Sequence, residues 1–202
     1  MIMKEKVEIK REHILKAAAS VFASKTYSGA SMQDIADLVK LKKQSLYHYF
    51  ASKEDIFYEL IHLALTEQIE NLKPILKSTL NPAEKLHHAI ATHLSNFIKY
   101  RAAVLLQIYG NLIMFDSKRS IEINGLAREY EEMFRQILRE GVVAGAFKAE
   151  TDISLIEFAI LGMLNYVDKW YSHTGRLSTE QISRIYTDFV FNGIGTSKDM
   201  IR

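Results

Sequence analysis

The sequence predicts an all-α protein of about nine helices, with a three-helix helix-turn-helix domain at the front and a larger helical bundle behind it. Apolar residues recur at helical spacing along most of the chain. Several segments open on a capping residue followed three positions later by an acidic or amide side chain. Sustained polar–apolar alternation, the mark of strands, is missing. We expect one domain over residues 1–53 and a second over residues 54–202.

Composition limits the class of protein and its location. The 202 residues are 48% apolar, include two prolines and lack cysteine, which suits a packed helical protein and excludes disulfides and thiolate metal sites. Charged residues stand near the N-terminus where a signal peptide needs an apolar core. The longest apolar run, residues 158–164, is far shorter than the roughly 20 residues that span a bilayer. We expect a cytoplasmic protein that does not enter a membrane.

Charge is distributed unevenly along the chain. The net charge is +2, but residues 1–53 hold ten lysines and arginines against five acidic residues, and the remainder holds sixteen against nineteen. A basic end on a mildly acidic body suggests that this end faces a polyanion. Ordinary surface scatter remains the alternative for counts this small.

Apolar spacing and turn-forming residues define the first two helices. A first helix over about 7–24 presents one apolar face, and residues 25–30 break the pattern. Ser31 and Asp34 form a capping box that starts a second helix over 32–39. The residues expected in the core are Ile14, Leu15, Ala18, Val21 and Phe22 of the first helix and Ile35, Ala36 and either Leu38 or Val39 of the second.

Two further helices complete the front of the chain. After a two-residue turn, a third helix over about 42–50 is held by Leu46 and Phe50, because residues four apart lie on one helix face. Ser52 caps a fourth helix, which continues until Pro74 kinks or stops it.

The second domain has its own start and stop signals. Asn81, Pro82 and Glu84 supply the cap, the first residue and the box partner of its first complete helix. Gly145 ends a long helix in a left-handed cap, and Ser178 opens the last helix in a capping box. The expected helices cover about 81–98, 101–114, 117–144, 152–173 and 178–192. In the long helix the side chains expected to be buried are Ile121, Ala127, Tyr130, Phe134, Ile137 and Leu138.

The third helix carries more polar and aromatic groups than a core helix needs. Only Leu46 and Phe50 suit a core. The others are donors, acceptors or ring edges, as on a helix that enters a DNA groove. For each one alone, a solvated surface group or a half-buried ring is the simpler interpretation. The polar and aromatic members are Lys42, Lys43, Gln44, Ser45, Tyr47, His48 and Tyr49.

A set of apolar, aromatic and capping residues keeps a fixed spacing across residues 9–60. They are Ile14-Leu15, Ala18, Phe22, Ile35-Ala36, Leu46-Tyr47-x-Tyr49-Phe50 and Ser52-Lys53-Glu54. At these spacings they resemble the TetR family of bacterial transcriptional regulators. The resemblance implies a homodimer with one helix-turn-helix per subunit, and repression that a small molecule relieves. The chain departs from the family pattern at Thr26 and Lys40, where glycine is usual, and at Lys42, where a serine cap is usual.

The resemblance and the chemistry of bases divide the expected DNA contacts. Lysine suits guanine O6 and N7, and glutamine suits adenine N6 and N7. Lys53 stands in the first turn of its helix, where backbone N–H groups attract anions. The residues expected at base edges are Gln33, Lys43, Gln44, Ser45 and His48; those expected at phosphates are Tyr47, Tyr49 and Lys53, and Lys42 adds positive charge.

Residues 165–178 resemble the branch of the family that senses acyl-CoA thioesters. An acyl chain needs an apolar tunnel, and a CoA head needs cations and a stacking ring. A plain core, with Trp170 in a subunit interface, is the alternative for each residue, and a multidrug-efflux regulator that senses diverse hydrophobic compounds is the alternative function. The expected tunnel residues are Phe97, Leu105, Ile108, Tyr109, Phe134 and Leu164, and those expected near the CoA head are Lys169, Trp170 and Arg176. The resemblance adds Asn165 to the expected ligand-binding residues.

Two Glu-x-x-His pairs raise the alternative of a helical di-metal enzyme. Glu59 with His62, and Glu84 with His87, each stand one helical turn apart, as in di-iron bundles, which also need two further glutamates. No obvious inward pair of extra glutamates accompanies them, and two chance pairs are unsurprising among seven histidines. No glycine-rich phosphate loop and no Ser/His/Asp set is visible. We expect neither an enzyme nor a cofactor.

The last two helices are expected to form the dimer. The helix over 152–173 is apolar nearly all round, as for a helix buried on several sides or in an interface. Paired with their symmetry mates, helices 152–173 and 178–192 make a four-helix bundle. A two-fold protein then requires a palindromic operator. We expect an effector to tilt the helix over 53–73 and so change the spacing of the two recognition helices.

Overall fold

The structure, a computed structural model, describes residues 2–99, 116–172 and 174–196, and the regular secondary structure in these ranges is helical apart from one isolated antiparallel bridge between Phe147 and Gly195. The predicted all-α class is confirmed. Of the nine predicted helices, eight lie in the described ranges, and the one expected over 101–114 lies outside them. The helices are α1 (Ile2–Gly29), α2 (Met32–Leu38), α3 (Lys43–Tyr47), α4 (Lys53–Lys77), α5 (Pro82–Lys99), α6 (Ser117–Val143), α7 (Ile153–Tyr166) and α8 (Thr179–Ile194), with a 3-10 turn (Val167–Lys169) after α7.

The predicted caps are confirmed. In each capping box the side chain of the cap residue accepts a hydrogen bond from the backbone N–H three residues later. The side chain of that later residue accepts one from the backbone N–H of the cap. The Ser52 hydroxyl accepts from the Asp55 backbone N–H at 3.0 Å, and Gly145 takes a left-handed φ of 72° just after α6. The three boxes pair Ser31 with Asp34, Asn81 with Glu84 and Ser178 with Gln181.

Several helix ends differ from those expected. Helix α1 begins at Ile2 rather than at about residue 7 and continues across a kink at Thr26, where φ is 62° and ψ is 166°, so it also extends beyond residue 24. Helix α3 ends at Tyr47 rather than at residue 50, because the chain turns after it. Pro74 does not stop α4, which ends at Lys77; a proline this close to the end removes only one hydrogen bond of the last turn. Helix α7 ends at Tyr166 rather than at residue 173, because the chain tightens into the 3-10 turn there.

Contacts define two compact units. The first holds residues 2–64 and 116–123 of the described chain, and the second holds residues 65–99 and the described residues from 124 onward. In the first unit, Ile14, Ile35 and Leu46 are fully buried. Val39 rather than Leu38 faces the core, because α2 ends at Leu38 and the chain turns inward after it. This core holds α3 by one apolar side.

The second unit is built on α5, which packs against α7 and α8. Leu86, Ile90 and Leu94 of α5 are buried, as are most of the expected residues of α6.

The expected burial of Ile121 at the start of α6 is wrong, since its side chain is 72% exposed, and Ile123 is buried instead. The buried positions of α6 recur as 123, 130, 134 and 137, and residue 121 does not lie on that face of the helix.

Replacing Lys40 by glycine is expected to raise the free energy of unfolding by about 0.5 kcal/mol. Lys40 has a φ of 54°, a left-handed conformation that costs a non-glycine residue roughly 1–2 kcal/mol, from which the larger entropy loss of glycine subtracts about 0.5–1 kcal/mol. Urea unfolding measures the change. The control is Lys42→Gly, where φ is −69° and no strain is relieved; equal effects at both positions would contradict the strain at Lys40.

Candidate nucleic-acid interface and effector site

Helices α2 and α3 meet in a tight turn that the backbone itself holds. The Leu41 N–H donates to the Ala36 carbonyl at 2.9 Å, which closes the turn after α2. No side chain caps α3 at Lys42, in agreement with the absence of the usual serine there. Leu46 of α3 and Phe50, three residues after the helix ends, are buried, and they hold the opposite side of α3 against the first unit. This arrangement is a helix-turn-helix with one side of its second helix in solvent.

Most of the expected DNA contacts stand on that solvent side. Gln33 on α2 is exposed and donates from Nε2 to the Asp37 carboxylate at 2.7 Å. Ser45 and Tyr49 are half-buried. The exposed side chains of α3 and its ends are Lys42, Lys43, Gln44, Tyr47 and His48. They form an uncovered surface of cations, amides and rings, called here the α3 polar face.

Lys53 has a structural role that the sequence did not indicate. Its Nζ donates to the Tyr27 carbonyl at 2.7 Å and to the Ala30 carbonyl at 2.8 Å, and it lies 4.3 Å from the centre of the Tyr27 ring. The bonds tie the segment before α2 to the first residue of α4. An ammonium group has three N–H donors, so one stays available to a phosphate.

Arg11 and Lys25 also shape this region, although neither was among the expected site residues. The Arg11 guanidinium donates to the Tyr49 carbonyl and pairs with Glu59, and it lies 4.3 Å from the centre of the Phe50 ring. Hydrogen bonds from Lys25 and Ser31 lower the pKa of the Asp34 carboxyl to about 2. These contacts join α1 to the end of α3 and to the start of α2, over sequence distances that local patterns do not report.

A charged network joins the first turns of α4 and α6 within the first unit. The Arg119 guanidinium donates to Asp55 at 2.6 Å, and the Tyr58 hydroxyl donates to Glu122 at 2.6 Å. His62 Nε2 lies 3.2 Å from the Glu122 carboxylate. Burial, together with the hydrogen bond to Glu122, raises the pKa of Tyr58 to about 12. We call these five residues the α4–α6 network.

The expected effector residues fall into three groups. Phe134 and Leu164 are buried in the second unit, and Asn165 is half-buried. The residues expected near a CoA head are all exposed: Lys169, Trp170 and Arg176. The side chains of Phe97, Leu105, Ile108 and Tyr109 lie outside the described residues.

Polar groups from three helices lie inside the second unit. His93 Nδ1 on α5 lies 3.0 Å from the Tyr130 hydroxyl on α6, and the Asn165 side chain at the end of α7 acts to raise the pKa of the His93 ring. Burial lowers the pKa of His93 to about 4, which outweighs the opposite effect of Asn165, and burial also raises the pKa of Tyr130. Asn96, one helical turn after His93, is buried as well. We call these four residues the buried polar cluster.

Helices α7 and α8 each expose large apolar side chains. Between them runs a groove of about 360 Å³ lined by residues that include Ile156, Met163, Phe189 and Asn192. Of the expected effector residues that the structure describes, none lines this groove. The exposed apolar side chains of the two helices are Leu155, Phe158, Tyr166, Ile185 and Phe189.

The residues of the di-metal alternative have other partners. Across the described chain no group of three or more metal-ligating side chains comes together. In the same residues no helix is long and apolar enough to cross a membrane. Glu59 pairs with Arg11, His62 with Glu122, Glu84 with the Asn81 cap and His87 with Thr187.

Two sequence models of known domains match the chain. The model of bacterial regulatory proteins of the tetR family matches residues 14–60, which contain the helix-turn-helix. The model of the tetracyclin repressor-like C-terminal domain matches residues 79–194, which cover most of the second unit.

Individual relatives match over nearly the whole length. The HTH-type transcriptional repressor KstR2 of Mycobacterium tuberculosis is 27% identical over 188 residues, 93% of this chain and 94% of that protein. Its structure, described as that of a ketosteroid transcriptional regulator, has a TM-score of 0.84. The fatty acid metabolism regulator protein of Bacillus subtilis is 26% identical over 90% of this chain and 93% of its own. The structure of the TetR family regulator PfmR from Thermus thermophilus is 32% identical, with a TM-score of 0.81 over 89% of this chain and 97% of that one.

Proposed function

The chain belongs to the TetR family of bacterial transcriptional repressors, and on that basis we propose that it binds a palindromic operator as a homodimer and leaves it when a small hydrophobic effector binds. Residues 1–53 are the proposed DNA-binding domain, and residues 54–202 the proposed effector and dimerisation domain. A repressor acts beside the chromosome, which supports a cytoplasmic location. The family consists of DNA-binding regulators, so we assign no catalytic role.

The α3 polar face carries the DNA-binding proposal. A surface of cations and amides on a short helix, fixed from behind by Leu46 and Phe50, suits the major groove. We assign base edges to Gln33, Lys43, Gln44, Ser45 and His48 and phosphates to Lys42, Tyr47, Tyr49 and the remaining Lys53 donor.

Replacing Gln44 by alanine is expected to weaken operator binding by about tenfold, because one good base contact contributes about 1–3 kcal/mol of discrimination. Binding to scrambled DNA should stay nearly unchanged, since glutamine carries no charge to lose. Footprinting the protein on DNA that flanks its own gene identifies the operator, and fluorescence anisotropy on that site and on scrambled DNA measures both affinities.

The control for this experiment is Lys16→Ala. Lys16 is exposed on α1 and pairs with Glu12 one turn away, so operator affinity should hold. An equal loss of operator and scrambled binding in Gln44→Ala contradicts a base-reading role. Failure of the wild-type protein to protect any DNA contradicts the DNA-binding proposal itself.

The exposed apolar face of α7 and α8 supports the homodimer. Large rings such as Phe158 and Phe189 stand in solvent on one side of the second unit, and contiguous exposed apolar surface usually marks an interface. A second copy, related by a two-fold axis, covers this face with the same face of its own. The two pairs of helices then form a four-helix bundle, in which partner side chains occupy the groove.

An acyl-CoA or fatty acid is the proposed effector, with a multidrug-type hydrophobic effector as the alternative. The fatty acid metabolism regulator among the relatives supports the first. Lys169, Trp170 and Arg176 offer exposed cations and a ring for a CoA head, and Phe134 and Leu164 offer apolar surface. Titrating the operator complex with acyl-CoAs of increasing chain length tests this, and retention of the operator throughout the series contradicts it.

The α4–α6 network supplies a route for the proposed release. Arg119 and Glu122 attach the start of α6 to Asp55, Tyr58 and His62 on α4, in the first turns of the helix that follows the helix-turn-helix. A shift of α6 on effector binding would therefore move α4 and change the spacing of the two recognition helices. Structures with and without effector test the spacing, and an unchanged distance rules the mechanism out.

A further inference from the structure

Helix α5 carries a buried amide nitrogen that donates to no atom of the described residues. The Asn96 side chain is 6% exposed, and its Oδ1 accepts a hydrogen bond from Asn71 Nδ2 at 3.1 Å. Its own Nδ2 is shielded from solvent and has no hydrogen-bond partner in the described part of the chain. Native proteins satisfy nearly all buried donors, because an unmet donor is destabilising. Asn96 Nδ2 therefore calls for an acceptor that the described residues do not supply.

Asn96 shares its helix with a second buried polar group that is packed beside apolar side chains. His93 stands three residues earlier on α5, so the two side chains share a helix face. Its ring is fixed by Tyr130 at 3.0 Å, and the Tyr130 ring centre lies 5.4 Å from that of Phe134. The buried polar cluster thus presents oriented polar atoms beside apolar side chains, as small-molecule sites do.

The charge state of the cluster narrows the ligand class. Burial lowers the pKa of His93 to about 4, so its ring is neutral at pH 7, and burial raises the pKa of Tyr130. Asn96 and Asn165 carry no charge. A carboxylate placed against these four residues would receive no counter-ion from them, and burying an unpaired charge is strongly unfavourable. A neutral acceptor oxygen meets the same donor without that penalty.

We propose that Asn96 Nδ2 donates to a neutral carbonyl oxygen of the effector, either a thioester or a ketone, whose hydrocarbon part packs on Phe134 and Leu164. The proposal rests on the proposed function as an effector-released repressor and adds the chemical class of the effector head. Thioester and ketone share the acceptor, and the experiment separates them.

The test uses ligand series that differ only at the carbonyl. Calorimetry measures the binding of butanoyl-, octanoyl-, dodecanoyl- and hexadecanoyl-CoA and of the S-alkyl-CoA thioethers of the same lengths. It also measures the free fatty acids, the methyl ketones of matching length and the alkanes that correspond to those ketones. Wild-type protein is expected to bind the thioester or the ketone at least about tenfold more tightly than the compound of equal length without the carbonyl. In Asn96→Leu this preference should fall to within about twofold.

Two further measurements separate a ligand contact from a structural role. Asn96→Leu is expected to unfold at about the same temperature as the wild type, because leucine is close in size and removal of the unmet buried donor offsets the lost hydrogen bond from Asn71, whose exposed side chain water can solvate. The control Asn124→Leu changes an exposed asparagine of α6 and should keep the full preference for the carbonyl.

Each outcome decides the proposal. Tighter binding of the thioester or of the ketone than of its carbonyl-free counterpart supports the proposal and shows which of the two groups the effector carries. Equal binding of thioester and thioether, tightest binding of the free acid, a preference that survives Asn96→Leu, or no binding of any carbonyl probe overturns it. Equal release of the operator by thioester and thioether overturns this inference and leaves the proposed function standing, whereas failure to bind operator DNA overturns the proposed function.

Discussion

Replacing Phe189 by aspartate is expected to convert the proposed homodimer into monomers and to weaken operator binding roughly a hundredfold or more, because the two half-sites are then no longer bound by one molecule. Phe189 is 66% exposed on α8 and stands at the groove that α7 lines with Ile156 and Met163. Pairing this face with a second copy buries the new carboxylate without a counter-ion, which opposes association.

Sedimentation equilibrium reports the oligomeric state, and anisotropy on the full palindrome and on a single half-site reports DNA binding. Half-site affinity should change little, because the α3 polar face is untouched. The matched control is Val143→Asp, which places the same charge at an exposed apolar position on α6 outside the face of α7 and α8. A Phe189→Asp variant that stays dimeric, or a monomer with full operator affinity, would show that this face is not the interface.

Replacing Arg135 by methionine is expected to lower the free energy of unfolding by about 3 kcal/mol, because it leaves a buried carboxylate without its partner. Glu157 on α7 is 0% exposed, and its Oε2 accepts from Arg135 at 2.7 Å. Chemical denaturation at fixed protein concentration measures the loss. The exposed pair of Arg184 and Glu180 provides the control, since Arg184→Met should change stability by less than about 1 kcal/mol.

The pH dependence of the stability loss in Arg135→Met tests whether the Glu157 carboxylate causes it. Burial raises the pKa of Glu157, and Arg135 opposes that shift, so methionine at residue 135 lets the pKa rise further. A carboxyl whose folded pKa exceeds its ordinary value lowers the free energy of unfolding as pH rises above about 4.5. Below that pH the carboxyl is protonated in both states, and the loss of stability disappears. The free energy of unfolding of Arg135→Met should therefore approach that of the Arg135→Met, Glu157→Gln double variant in acid and fall below it at neutral pH. If the free energies of the two variants change with pH in parallel, Glu157 is not the origin of the loss.

The sequence by itself determined the all-helical class, the helix starts that carry capping residues and the polar side of α3. The caps at Ser31, Asn81 and Ser178 use groups within three residues of each other, so the local sequence holds all the necessary information. The same is true of Leu46 and Phe50, which are four residues apart and are both buried, while most of the remaining side chains of α3 are exposed. The left-handed Lys40 could also be anticipated, because it stands where the family uses glycine.

Only the tertiary structure decided which distant groups meet. Lys53 binds carbonyls 26 and 23 residues earlier in the chain, and Arg119 binds Asp55 across 64 residues. The face of α6 that turns inward, with Ile123 rather than Ile121, depends on what packs against it. Asn96 is one polar residue in an amphipathic helix by sequence, and its unmet donor appears only once the helices around it exclude water. Hydrogen-bond partners and burial are properties of the packed chain, and local periodicity does not contain them.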